Sequence, residues 1–262
     1  MPYLDRDGVR LYFETRGQRR STSLPILMQH PLCSNLHHFD DTTLPARLLE
    51  QGHFLIFPES IAHGRSIAPD NMDPRRFTLG ERARDVLAIL DVLDVDRFAY
   101  CGYSMGTWIG RGVIAKAPER VLAASLGGFD IERGSHTSGM PHRLTRSRLG
   151  HSLLRGYSHW SGSRLIPGVD NIDALQRCFL ELYKPMPPIE TLEEWGGPLL
   201  LWSGKRDLYH GPMKRASRKL SNALFHDFPG NHFSSSSDER LVEPILDVMA
   251  KGKRAFLRER QA

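Results

Sequence analysis

Cysteine is scarce in this sequence. Cys33, Cys101 and Cys178 are its only three, and they lie far apart. They give neither a disulfide framework nor a zinc-ligand spacing, which fits a reducing cytoplasm. Histidine is more frequent, yet no pair has a metal-binding spacing such as H-E-x-x-H, so no metal and no cofactor is expected. No apolar run approaches the length of a membrane span. The N-terminal MPYLDRDGVRLYFE is charged from its fifth residue. It has no basic start leading into an apolar stretch, so no secretory signal is expected. There is no internal repeat and no low-complexity segment, the run Ser234 to Ser237 being too short to count. The formal net charge is +5. Much of the excess sits between Arg133 and Val169, a stretch without Asp or Glu, and in the tail at Lys251, Lys253, Arg254, Arg258 and Arg260. No aromatic-interleaved RNA motif or zinc finger accompanies these residues. They read as solvated basic faces, and neither nucleic acid nor membrane is an expected partner. Nothing in the sequence sets an oligomeric state.

What remains is 262 residues of ordinary globular composition, enough for one α/β domain with a large core. VRLYFE (9–14) alternates as a half-buried strand does. LPILMQ (24–29), HFLIFP (53–58), RFAYCGY (97–103), VLAASLGG (121–128), PLLLWSG (198–204) and ALFHDF (223–228) are short apolar runs, each strand-like. Between them, Phe77 to Leu93 and Thr107 to Ala117 carry apolar residues at helical spacing, the second stopped by Pro118. Ile172 to Leu182, Met213 to Leu220 and Glu239 to Leu257 are further helical stretches. Strands alternating with helices predict βαβ units and a mainly parallel twisted sheet. From about 131 to 195 the rhythm loosens, which reads as a short cap inserted into a single domain spanning 1–262.

One phrase does not fit a packing role. Gly102-Tyr103-Ser104-Met105-Gly106 is a G-x-S-x-G motif at a strand-to-helix junction. A serine held in a strained turn needs small neighbours, points its hydroxyl away from the sheet, and leaves backbone N–H groups at a helix start free for an anion. A serine hydroxyl is a poor nucleophile without a base and a carboxylate to orient that base. Asp207, in Ser203-Gly204-Lys205-Arg206-Asp207, and His232, in Pro229-Gly230-Asn231-His232-Phe233, each follow a strand end. Sites assemble at that edge of an open α/β sheet. Asp130, after VLAASLGG, is the alternative carboxylate.

The phrases GYSMG, SGKRD and PGNHF, in this order and spacing, resemble the α/β-hydrolase superfamily of esterases, lactonases and thioesterases over nearly the whole chain. The resemblance implies Ser104 as nucleophile, His232 as general base and acid, and Asp207 as the orienting carboxylate. Ser104 excludes the dehalogenase and epoxide-hydrolase branches, which use Asp there. The loop HPLCSNL also resembles the enol-lactonase branch, whose members carry an Asn-Ser-Leu-Gly type of phrase. At ESIAHGRS (59–66) the chain departs from the superfamily pattern. Glu59 stands for the usual Asp and Ala62 for the first Gly, and a local adjustment is expected.

An oxyanion hole needs two backbone donors. The Met105 N–H is one. In the loop after LPILMQ, Pro31 has no N–H, leaving Leu32 as the natural second donor and Cys33 after it. His30, Tyr103, Met140 and Trp160 are the expected substrate contacts. Met105, Leu32 and Trp108 are further candidates for an apolar pocket, Trp108 having the alternative of facing the core. The cap's Arg and His residues could steer a carboxylate-bearing substrate, but a solvated face is the simpler reading. The expected activity is hydrolysis of a small carboxylic ester or lactone through an acyl-enzyme. Thioesterase, acyltransferase, perhydrolase and carbon–carbon hydrolase chemistry stay open on the same triad. So does a ligand-binding protein that kept the fold.

Overall fold

The computed structural model describes residues 2–69, 71–135, 152 and 172–261. Its strands are β1 (Tyr3–Arg6), β2 (Val9–Arg16), β3 (Pro25–Gln29), β4 (Phe54–Pro58), β5 (Phe98–Tyr103), β6 (Val121–Gly127), β7 (Leu199–Gly204) and β8 (Ala223–Phe228). They form one sheet in the order β1-β2-β4-β3-β5-β6-β7-β8. β1 and β2 are antiparallel to each other, as are β2 and β4, and every later pairing is parallel. The helices are α1 (Leu44–Glu50), α2 (Leu79–Val92), α3 (Met105–Lys116), α4 (Ile172–Glu181), α5 (Glu190–Trp195), α6 (His210–Ser217) and α7 (Val242–Glu259).

Strands β3 to β7 are buried along their whole length. That is why they read as continuous apolar runs and not as alternating ones. Successive side chains serve opposite faces. Phe98 and Tyr100 of β5 join a core with Leu27, Ile56, Val113, Leu201 and Met213, under α2, α3 and α6. Ala99 and Cys101 join the other core with Ile26, Met28, Leu48, Ile245 and Met249, under α1 and α7.

Three elements were not anticipated. β1 is joined to β2 by Asp7 and Gly8, both at positive φ (48° and 78°), a two-residue turn of the kind Asp-Gly favours. α1 carries proline in its first turn and buries Leu44 and Leu48. α5 buries only Leu192. α3 also starts at Met105, directly after the serine, two residues before the apolar spacing indicated.

The cap expected over 131–195 falls between β6 and β7, where residues 131–135, 152 and 172–195 are described. Arg111 of α3, fully buried, ties both roots of this segment together. Its guanidinium donates to the Ile131 (3.3 Å), Pro187 (2.7 Å) and Pro188 (2.9 Å) carbonyls and to Thr191 Oγ1 (3.1 Å). Burial lowers its pKa to about 10, so it stays charged at neutral pH.

Candidate active site

The carboxyl ends of β3, β5, β7 and β8 bring four loops together, and each carries an expected site residue. β5 ends at Tyr103 and α3 begins at Met105, so Ser104 must reverse the chain alone. It has φ 53° and ψ −113°, a conformation that costs a non-glycine residue energy and persists only where its surroundings hold it. Three hydrogen bonds hold it. The Ser104 N–H donates to Gly127 O (2.8 Å), and Thr107 Oγ1 donates to the same carbonyl (2.6 Å). Tyr100 Oη donates to Gly106 O (2.7 Å). The two glycines are steric requirements. A Cβ on Gly102 would lie 2.6 Å from the Gly106 carbonyl, and one on Gly106 would lie 2.2 Å from Gln29 O.

Ser104 Oγ lies 3.1 Å from His232 Nε2, and His232 Nδ1 lies 3.0 Å from Asp207 Oδ2. The Asp207 side chain is fully buried, and its Oδ1 accepts the Tyr209 N–H at 2.9 Å. Asp130, the alternative acid, accepts the N–H groups of Glu132 and Arg133 with its Oδ1, both at 3.0 Å. The His232 loop is shaped by Asn231, whose side-chain oxygen accepts from Phe233 N (2.9 Å) and Ser234 N (3.2 Å). The imidazole is packed between the Tyr103 ring, stacked at 5.3 Å, and the Tyr209 ring, edge-on at 5.4 Å.

The loop expected to supply the second oxyanion donor follows β3. Cys33 N donates to His63 Nε2 at 3.1 Å and is therefore taken. Among the described residues the N–H groups of Leu32 and Met105 donate to nothing else, Met105 being at the unsatisfied start of α3. His30 has no exposed surface. Its Nδ1 donates to Pro31 O (2.8 Å) and its Nε2 accepts the Ser60 N–H (3.0 Å). Expected as a substrate contact, it has both nitrogens committed to the backbone. Tyr103 is buried as well, and its hydroxyl donates to the His232 carbonyl. Trp108 lies in the core. Met140 and Trp160 lie outside the described residues, as do His136, His142, His151 and His159.

Sequence reasoning missed His63, and it read His38 only as a surface or pocket-lining group. His63 reaches the oxyanion loop from the turn after β4. His38 stacks on Tyr103 at 5.8 Å, with Ser34 Oγ 3.4 Å from its Nδ1. Burial pushes the imidazole of His30 down to about 4 and those of His38 and His63 down to about 3, so all three are neutral at pH 7. The departure at 59–66 is absorbed locally. The Glu59 carboxylate is buried and occupies the space where a Gly64 Cβ would be, 2.1 Å from its Cδ. Burial holds this carboxyl above its ordinary value, opposed by the N–H groups of Arg65 and Leu36. Ala62 takes the left-handed backbone (φ 62°) that glycine would adopt without strain.

A model of the alpha/beta hydrolase fold matches residues 25–128. A protein of Mycobacterium phage D29 that carries the provisional name non-heme haloperoxidase is 32% identical, the match covering 92% of this chain and 91% of that one. The enol-lactonase of Burkholderia xenovorans superposes with a TM-score of 0.77 at 18% identity, over 95% of this chain and 100% of that one. A structure from a study of carboxylesterases of Nitrososphaera gargenis superposes with a TM-score of 0.76 at 18% identity, over 97% and 100%.

Proposed function

Since this chain belongs to the α/β-hydrolase family, we propose that it is a serine hydrolase acting on a carboxylic ester or lactone. The observation that carries the proposal is the unbroken line from Ser104 Oγ through His232 to a buried Asp207, with steps of 3.1 and 3.0 Å. It is set in a turn that exists only to present the serine.

In this reading Ser104 Oγ attacks the substrate carbonyl while His232 Nε2 takes its proton. Asp207 keeps the other imidazole proton on Nδ1 and stabilises the cation that forms. Negative charge gathers on the former carbonyl oxygen, where the Leu32 and Met105 N–H groups receive it. His232 then gives its proton to the leaving alkoxide. An ester releases its alcohol at this point, whereas a lactone keeps it tethered to the acyl group. Water, deprotonated by His232, attacks the acyl-enzyme and regenerates Ser104. Tyr103 serves here as a positioning residue, holding the His232 loop by its hydroxyl and the imidazole by its ring. The scheme uses no group beyond the chain itself, and it runs as well in a cytoplasmic protein.

The test is hydrolysis of p-nitrophenyl acetate, butyrate and octanoate, and of a small lactone, by wild type and Ser104→Ala. Turnover that falls to background in the variant supports the reading. A folded wild type that turns over none of them and takes no fluorophosphonate label on Ser104 refutes it.

The phage relative's name favours one second reading. Hydrogen peroxide in place of water would attack the same acyl-enzyme, releasing a peroxyacid and restoring the serine hydroxyl. Bromide-dependent dye halogenation in acetate and peroxide, lost in Ser104→Ala, would support that variant of the chemistry.

A further inference from the structure

Two loops flank the space in front of Ser104, one after β3 and one after β4, and two histidines cross between them. His30, on the first loop, accepts the Ser60 N–H of the second with Nε2 at 3.0 Å. His63, on the second, accepts the Cys33 N–H of the first with Nε2 at 3.1 Å. Each ring uses its Nδ1 proton at 2.8 Å on a carbonyl of its own loop, Pro31 O for His30 and Ile61 O for His63. The two rings lie 5.0 Å apart, and both residues are at most 1% exposed. The exchange is reciprocal, each loop giving one N–H and receiving one.

We propose that His30 and His63 form a two-way clasp that aims the Leu32 N–H at the oxyanion, which makes both of them positioning residues. The proposal rests on the hydrolase reading above for the meaning of that N–H, but the clasp itself is a statement about two tautomers. Only a neutral imidazole with its proton on Nδ1 offers a donor at δ and an acceptor at ε. A proton on Nε2 of either ring would face a backbone N–H and break the clasp. Among the described residues the charged or titratable groups around the pair, besides each other, are His38, Arg82 and the thiols of Cys33 and Cys178, the last 3.7 Å from the Ile61 carbonyl that His63 also uses. Each Nε2 faces a backbone N–H, of Ser60 or of Cys33, so no acceptor stands in line to draw a proton there.

The backbone explains why a clasp is needed. Cys33 and Ala62, one on each loop, both have left-handed backbone at φ 59° and 62°. Each such non-glycine residue stores strain and relaxes unless its neighbours over-determine it. Cys33 is the residue that His63 holds, and its turned-away N–H is what leaves Leu32 as the donor of this loop. A leucine or phenylalanine would fill the same volume without burying polar nitrogens. The pairs of directed hydrogen bonds are what those alternatives lack.

The experiment has two arms. Long-range proton–nitrogen spectra of the imidazoles, with His30→Gln and His63→Gln used for assignment, are expected to show both rings as the Nδ1–H tautomer at pH 7. A ring found as Nε2–H, the form free imidazole favours, overturns the proposal. In the kinetic arm, His63→Leu and His63→Gln are compared on p-nitrophenyl butyrate. Loss of a whole oxyanion donor costs about 10²–10³ in kcat, so a misaimed one is expected to cost about 10- to 100-fold, with KM within about twofold. Gln restores an acceptor to Cys33 N and is expected to recover most of the rate. A folded Leu variant with unchanged kcat, or a Gln variant no better than Leu, overturns the positioning role. If wild-type turnover survives Ser104→Ala, the hydrolase reading fails, while the spectra still decide the clasp.

Discussion

Three buried imidazoles make the stability of this fold steeply sensitive to mild acid. His30, His53 and His63 are each at most 1% exposed. Burial lowers His30 and His53 from the ordinary 6.5 to about 4, and His63 to about 3. The sign follows from proton counting. Below pH 6.5 the unfolded chain protonates these groups and the folded one does not, so the unfolded state binds more protons. The stability they confer is therefore fully present above pH 6.5 and is lost as pH falls toward 4. At pH 5, about 1.5 units below the unfolded pKa, each group has cost about 2 kcal/mol of the stability present at high pH, or about 6 kcal/mol for the three. That is comparable with the whole stability of a typical domain, about 5–15 kcal/mol. His38, lowered by burial to about 3, acts in the same direction. Glu59, whose carboxyl is raised by burial, acts in the opposite direction in the carboxylate range. Urea unfolding followed by tryptophan fluorescence at pH 7.5, 6 and 5 reads the effect directly. His53→Phe, at the opposite end of the sheet from Ser104, should remove about a quarter of the slope, His38 being the fourth such group. A free energy constant within about 1 kcal/mol from pH 7.5 to 5 would refute the reasoning.

Asp207→Asn is expected to lower kcat about 10⁴-fold, because an amide cannot hold His232 in its working tautomer. Asp130→Asn should stay within a few-fold of wild type, and steady-state kinetics of the two variants separates the candidate acids. Gly106→Ala places a Cβ 2.2 Å from Gln29 O. Overpacking there should cost about 1–3 kcal/mol in thermal unfolding and shift the Met105 N–H enough to lower kcat as well. Arg111→Leu takes the guanidinium from the buried Ile131 carbonyl and from those of Pro187 and Pro188, of which, among the described residues, Pro188 O alone keeps other donors, the Thr191 N–H and hydroxyl. It should destabilise by about 3 kcal/mol or more, seen in denaturant midpoints and in faster protease cleavage at the cap roots.

Strands β3 to β7 were legible because burial on both faces leaves them almost wholly apolar, and β2 because it alternates. The three residues proposed as a triad were legible because each follows a strand end within four residues. β1 was not, since YLDR is half polar and only partly buried, and the informative signal was the Asp7-Gly8 turn after it. α1 hid behind a proline that reads as a breaker but sits in a first turn. His63 had no signal at all. Its partner Cys33 is thirty residues away, and the geometry that joins them exists only once β3 and β4 pair. The same holds for Glu59 and Gly64. The substitution pattern was visible, but only the fold reveals that the longer carboxylate fills the space of the missing Cβ.

That crowding of histidines around one serine bears on the direction of proton flow. His38 lies close enough to both His30 and His232 for their charges to interact, and His30 touches His63. In the proposed mechanism, a charged imidazole at any of these places would oppose the cation that forms on His232 when Ser104 is deprotonated. Burial is what prevents it, by keeping His30, His38 and His63 uncharged down to about pH 4. His232 differs from them in one respect, the buried carboxylate of Asp207 on its Nδ1. In the proposed mechanism a proton leaving Ser104 goes to the imidazole that hydrogen-bonds it, His232 Nε2 at 3.1 Å, whose charged form has the Asp207 carboxylate beside it. Desolvation, usually a cost at a polar site, then keeps the three neighbouring imidazoles from opposing that charge.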